Sequence, residues 1–170
     1  MEGSELSEVS YKKDLGVWVS SDMKCSKQCL HDFNKATRVL GMIKRTIRFK
    51  DTRVMQSLCK TLVRPHFEYC SSAWNPHYIK DKQLIEKVQR KFTKMIKNME
   101  GKSYEERIHC LRLWSLEERR NRQDLIVVFK MCNGLSRLKL NELFTLDKNN
   151  RGIRGHSWKL AKFRCTRDCQ

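Results

Sequence analysis

Chain breakers are scarce here: 7 glycines and 2 prolines occur in 170 residues. Glycine and proline punctuate strands and tight turns. A chain this poor in both, with long stretches of 3.6-residue periodicity, is constrained to a mostly helical body. Its length suits one domain with a real core rather than two. The fold class expected is mostly α: a helical bundle with a short N-terminal β-hairpin and a flexible basic C-terminal arm.

Strand signals are confined to residues 5–19. Leu15, Val17 and Val19 alternate with Gly16, Trp18 and Ser20, and Ser10–Asp14 would join this strand to a shorter one around Leu6–Val9. A lone hairpin is marginal in water, so its apolar face and edge should lie open without a larger sheet. A first helix over about Ser26–Arg48 gathers Cys29, Phe33, Ala36, Val39, Leu40, Ile43 and Ile47 within roughly 120° of arc. Asp51 is placed to N-cap a second helix. That helix carries Val54, Met55, Leu58, Cys59 and Leu62 on one face and Arg53, Lys60 and Arg64 on a narrow stripe opposite. Pro65 must end or kink it. Phe67, Tyr69, Trp74 and Tyr78 then form an aromatic elbow before and just after Pro76. Such rings can stack bases, but plugging the corner between diverging helices is the favoured reading.

The third helix, about Asp81–Asn98, has the cleanest pattern. Leu84, Ile85, Val88, Phe92, Met95, Ile96 and Met99 fill one arc, and Gly101 is expected just past its end. Ser103–Glu106 and Ser115–Glu118 read as capping boxes. The first opens a short helix to about Leu111, the second a longer one to about Cys132 with Asn133-Gly134 as its stop. Leu125–Phe129 is apolar on every side, which predicts the most buried helix of the domain. Asn141–Leu146 adds one more turn. From Asp147 periodicity disappears and a basic arm is expected. The chain thus divides into 1–22, 23–146 and 147–170.

Lys plus Arg number 36 against 19 acidic residues, a net charge of +17. Such an excess attracts polyanions and predicts nucleic acid ahead of an acidic protein or a membrane surface. On the third helix Lys87, Arg90, Lys91, Lys94 and Lys97 cover one arc without an acid. Helical spacing turns them into a row of cations over roughly 15 Å that can follow successive phosphates. Arg53, Lys60 and Arg64 offer a second, shorter stripe. Nothing in the pattern indicates base reading, so contacts should be salt-sensitive and weakly sequence-specific.

Eight cysteines are scattered through the chain. With no secretory signal at Met1-Glu-Gly-Ser-Glu5 they read as reduced thiols of an intracellular protein, nuclear or cytoplasmic. No apolar run approaches the roughly 20 residues of a membrane span. Cys25/Cys29 and Cys165/Cys169 are spaced too far apart in the chain for a compact zinc site, so no metal is expected. No phosphate loop, nucleophile elbow or His-Glu helical pair is present. No small-molecule substrate is indicated either.

Four segments occur in a telling order: Lys13-Asp-Leu-Gly-Val-Trp18, Thr61-Leu-Val-Arg-Pro-His-Phe-Glu-Tyr-Cys-Ser-Ser-Ala-Trp-Asn-Pro76, Leu84-Ile-Glu-Lys-Val-Gln-Arg-Lys-Phe-Thr-Lys94 and Leu116-Glu-Glu-Arg-Arg120. Together they resemble the region just after the palm in reverse transcriptases of LINE-type (non-LTR) retrotransposons, especially jockey-like elements, over about Leu6–Lys162. The resemblance implies that the hairpin corresponds to the primer-grip end of the palm and the helices from Ser26 to Gly134 to the thumb and the segment behind it. The parent activity would be RNA-directed DNA synthesis with Mg²⁺ held by upstream aspartates. This chain contains no Asp-Asp pair. It is therefore expected to be no enzyme on its own, with no cofactor. As a thumb fragment it would bind RNA, DNA or an RNA–DNA hybrid, with the missing palm domain as its partner in cis. The alternatives are a protein-interaction module or the functionless remnant of a decayed element.

Overall fold

The computed structural model describes residues 8–147 and 159–161. The chain forms two compact units, Met1–Gln123 and Asp124–Gln170.

The body is mostly helical and begins with a hairpin of β1 (Tyr11–Asp14) and β2 (Val17–Ser20), antiparallel with Tyr11 opposite Ser20 and Asp14 opposite Val17. Its turn is Leu15-Gly16, at φ 42° and 89°. Two positive values are what a two-residue turn of matching twist requires, and Gly16 supplies one without a Cβ penalty. The expected register is corrected accordingly. Ser10–Asp14 is not a connector, since four of its residues are β1, and Leu15 is no strand residue but the exposed turn tip. Of the shorter strand expected at Leu6–Val9, Glu8 and Val9 are not in a strand; the rest lies outside the described residues.

The hairpin lies open only in part: β1 is exposed along its length, as is Val19, while β2 is anchored on the helices. Val17 is part of the core. The Trp18 amide donates to Gln28 Oε1 at 2.8 Å, and Gln28 Nε2 donates to Asp32 Oδ2 at 2.7 Å. Lys27 Nζ sits over the rings of Tyr11 and Trp18, 3.8 and 4.2 Å from their centres. The Tyr69 hydroxyl donates to the Leu15 carbonyl at 2.8 Å. A neighbouring helix thus covers part of β2, while the sheet remains two-stranded.

That neighbour is α1 (Ser26–Thr46), which packs along α5 (Ile79–Lys94). Cys29, Ala36, Leu40 and Ile43 meet Ile85, Val88 and Phe92 in one core with Ile96. Ser26 Oγ donates to Asp81 Oδ2 at 2.6 Å and ties the two helix starts together. Helix α2 (Thr52–Leu58) opens on Asp51, whose carboxylate accepts from the Arg53 amide at 3.0 Å. It runs into a π turn, Cys59–Val63, and then α3 (Pro65–Glu68). Pro65 occupies the first turn of α3, where its missing amide costs least. The wider turn places Met55, Cys59, Val63 and Phe67 in the core, each four residues from the last. In a straight α-helix that spacing drifts by about 40° per step; a turn with more residues offsets part of the drift. The same turn overturns the expected face. Leu62 and Val54 are exposed, and Arg64, expected on the outer stripe, is buried.

Phe67, in α3, and Trp74, in α4 (Ser71–Trp74), plug the corner, whereas Tyr69 is exposed. Helix α5 stops at Lys94 rather than Asn98, and Asn98, not Gly101, takes the left-handed conformation there at φ 66°. Helix α6 (Tyr104–Cys110) has the expected capping box. Helix α7 (Leu116–Cys132) has the second: the Ser115 amide donates to Glu118 Oε2 at 2.9 Å and the Glu118 amide to Ser115 Oγ at 3.2 Å. It ends as expected at Gly134, where the Gly134 amide donates to Met131 and the Leu135 amide to Lys130.

Helix α7 lies in both compact units. Its second half is not the most buried helix. Leu125, Ile126 and Phe129 are 69, 42 and 61% exposed, and only Met131 is buried. A run apolar on all sides has no polar side to mark its outward face, so periodicity could not place it. A short α8 (Leu140–Leu143) follows, and Leu146 pairs with Leu160, with the Ala161 amide on the Thr145 carbonyl at 2.7 Å. The rest of the expected flexible arm, 148–158 and 162–170, lies outside the described residues.

Candidate nucleic-acid interface

Helix α5 is the element that arranges charge. Its apolar stripe faces α1, which forces Lys87, Arg90, Lys91 and Lys94 outward, and all four are exposed. The row on the helix runs from Lys87 to Lys94, roughly 10 Å, shorter than expected because Lys97 lies past the helix end. Lys97 is exposed on the following turn, with its amide donating to the Lys50 carbonyl at 3.1 Å. Among the described residues none of these five side chains makes an ion pair; the α5 cation that does is Lys82, to Glu117 at 2.8 Å. Arg90 stacks on Tyr104, 4.8 Å from the ring centre, and Lys91 lies 5.6 Å from that of Phe33.

The row borders a cleft of about 480 Å³ in which Lys91 and Lys94 of α5 face Lys44 and Lys50 from α1 and the loop after it; Glu100 is the acid among its walls. Lys44 and Lys50 were not singled out from the sequence. The α1–α5 pairing that brings them to the row joins residues distant in the chain, such as Ser26 and Asp81.

Glu86, one helical turn before Arg90 and lining a side pocket with it, is engaged by other groups. Its carboxylate accepts from the Tyr104 hydroxyl and from the Leu116 amide at 3.1 Å, capping α7. Burial pushes this carboxyl above its ordinary range, against the lowering effect of those donors. The acid nearest the row is thus committed to structure.

The second stripe does not form. Arg53 is exposed and lines neither cleft. Lys60 and Arg64 instead share a separate, basic cavity of about 490 Å³ with Arg112, Arg119 and Arg122, bordered by Gln56 and Trp114 and by no acid. Arg119 is paired with Glu68, at 2.6 Å. Burial pushes the Cys59 thiol up, while the Arg64 charge pulls it the other way. The three additional arginines had a partial signal: Arg119 and Arg122 stand at helical i, i+3 spacing on α7, but nothing in the sequence tied Arg112 to them.

Cys25, Cys29 and Asp81 lie with their ligand atoms within 4.8 Å of one another; the two cysteines stood out as a pair in the sequence, whereas Asp81 did not. Burial drives the Cys29 thiol far up and so disfavours its thiolate. Among the described residues no helix is long and apolar enough to cross a membrane. No known protein family, characterised protein or solved structure matches the chain.

Proposed function

We propose that this protein binds nucleic acid without catalysis, as a fragment resembling the thumb of a retrotransposon RNA-directed DNA polymerase, and grips RNA or an RNA–DNA duplex through its phosphates. The observation that carries the reading is the cationic row Lys87, Arg90, Lys91 and Lys94 on α5, exposed and without ion pairs, of which Lys91 and Lys94 face Lys44 and Lys50 across a cleft. These are flexible point charges and a guanidinium with no fixed base-reading geometry, so they suit phosphate contact more than sequence recognition. Mg²⁺ would belong to the parent polymerase, since the chain has no Asp-Asp pair.

Fluorescence anisotropy with a labelled RNA–DNA hybrid tests this. Neutralising about five phosphates gives a log–log salt slope of around −4 to −5 for duplex DNA. Replacing Lys87, Lys91 and Lys94 together by glutamate should abolish binding at moderate salt. Affinity indifferent to salt, or unchanged in the triple variant, rejects the reading.

A second reading, a protein-contact surface, is favoured by exposed Leu125, Ile126 and Phe129 on α7. Exposed apolar clusters of this kind are unusual on a free surface.

A further inference from the structure

The basic cavity lined by Lys60, Arg64, Arg112, Arg119 and Arg122 is a different site from the α5 row: it is built on α2, the π turn, the α6–α7 loop and the start of α7. Three observations there point to an anion. Arg64 is 93% buried (7% exposed) yet its Nε has no hydrogen-bond partner. A buried guanidinium nitrogen without an acceptor is costly, and such groups call for one. The π turn ending at Val63, whose hydrogen bond runs from the Arg64 amide to the Cys59 carbonyl at 2.9 Å, turns this side chain inward; π turns recur at functional positions.

The second observation is Arg112. The Arg112 amide donates to the His109 carbonyl and the Leu113 amide to Ile108, at 3.0 and 2.8 Å, and Arg112 has φ 49°. This is the same helix ending that Gly134 makes after α7, in which glycine is the residue that fits without strain. At the end of α6 an arginine holds the glycine position, and its side chain borders the cavity. Third, only Arg119 of the five cations has a carboxylate partner among the described residues. At the edge stands Trp114, 47% exposed, with the Arg122 guanidinium 4.8 Å from its ring centre.

We propose that this cavity binds the phosphate of a nucleotide, with Lys60, Arg64, Arg112 and Arg122 holding the anion and the exposed indole of Trp114 carrying the base. Arginine forks match phosphate oxygens in pairs. An aromatic ring beside them accepts any base by stacking. The volume is in the range of small-ligand sites. The assignment does not depend on duplex binding at α5.

Isothermal titration of the full chain with inorganic phosphate and with adenosine monophosphate tests it. Both should bind, the nucleotide more tightly. Arg112→Gly removes one cation while relieving the backbone, so the variant should melt no lower than the parent yet bind both probes roughly tenfold more weakly, as expected for one charge-assisted hydrogen bond. Trp114→Leu should bring the nucleotide down to the affinity of phosphate. Lys91→Ala with Lys94→Ala should change neither. The proposal is overturned if neither probe binds at millimolar concentration, if Arg112→Gly binds as the parent does, or if the two lysine changes weaken binding as much as Arg112→Gly. Nucleotide no tighter than phosphate overturns the assignment to a nucleotide.

Discussion

Gln28 serves two elements with one amide group. Its oxygen accepts from the Trp18 backbone of the hairpin, and its nitrogen donates to Asp32 within α1. Replacing it with leucine leaves the strand amide without its acceptor and takes one of two partners from the buried Asp32 carboxyl, whose other oxygen keeps His31 at 3.2 Å. We expect a loss of about 1–3 kcal/mol in urea unfolding, with faster exchange of the Trp18 amide than of α1. Buried carboxyls also set the response to pH. Burial holds Asp32 and Glu86 above their ordinary values, so the native state retains their protons where the unfolded chain does not. Their contribution to stability is fullest below the unfolded carboxylate value and declines as pH rises through the raised one. Glu106 and Glu118 work the other way. Donation from the Ser103 and Ser115 amides holds them low, so their contribution is present above the unfolded value and is lost as pH falls through the lowered one. Glu86→Gln should therefore flatten the decline in melting temperature above about pH 4.5 and leave the acid-side loss in place. An unchanged profile above that pH would show that Glu86 is not the group responsible.

At the level of elements, the π turn separates what periodicity shows from what packing decides. A uniform helical phase puts Leu62 inside and Arg64 outside, and the structure reverses both. The two registers are distinguished by paired truncations. Val63→Ala should cost about 2 kcal/mol because it empties a core position, while Leu62→Ala should stay within roughly 0.5 kcal/mol, as exposed positions do. Equal costs would restore the straight helix. The capping boxes at Ser103 and Ser115 and the stop at Gly134 were legible because their chemistry is local: a hydroxyl, a carboxylate three residues on and a glycine each act on the nearest backbone. Arg112 was not, because it takes a glycine's place and so sends no glycine signal.

For the whole molecule, the assembly of its charge depends on contacts between distant residues, and this was the least legible. Hydrophobic periodicity identified the partners in the α1–α5 core, but not that Lys44 and Lys50 would stand opposite Lys91 and Lys94. It failed for Leu125–Phe129, where composition alone implied burial. If that exposed apolar ridge makes contacts, Leu125→Ser with Phe129→Ser should lower self-association in sedimentation and reduce dye binding, with the exchange protection of Ile85, Val88 and Phe92 unchanged. Loss of that protection would mean that the ridge belongs to the main core. The pairing of α1 with α5 also has a consequence in time. Helix α1 ends at Thr46 and α5 at Lys94, so 48 residues must still be made before the first apolar stripe can be covered in full. At about 5–20 residues per second, a nascent chain spends some seconds on the ribosome with Cys29, Leu40 and Ile43 uncovered, long enough for a chaperone to reach them before their native neighbours do.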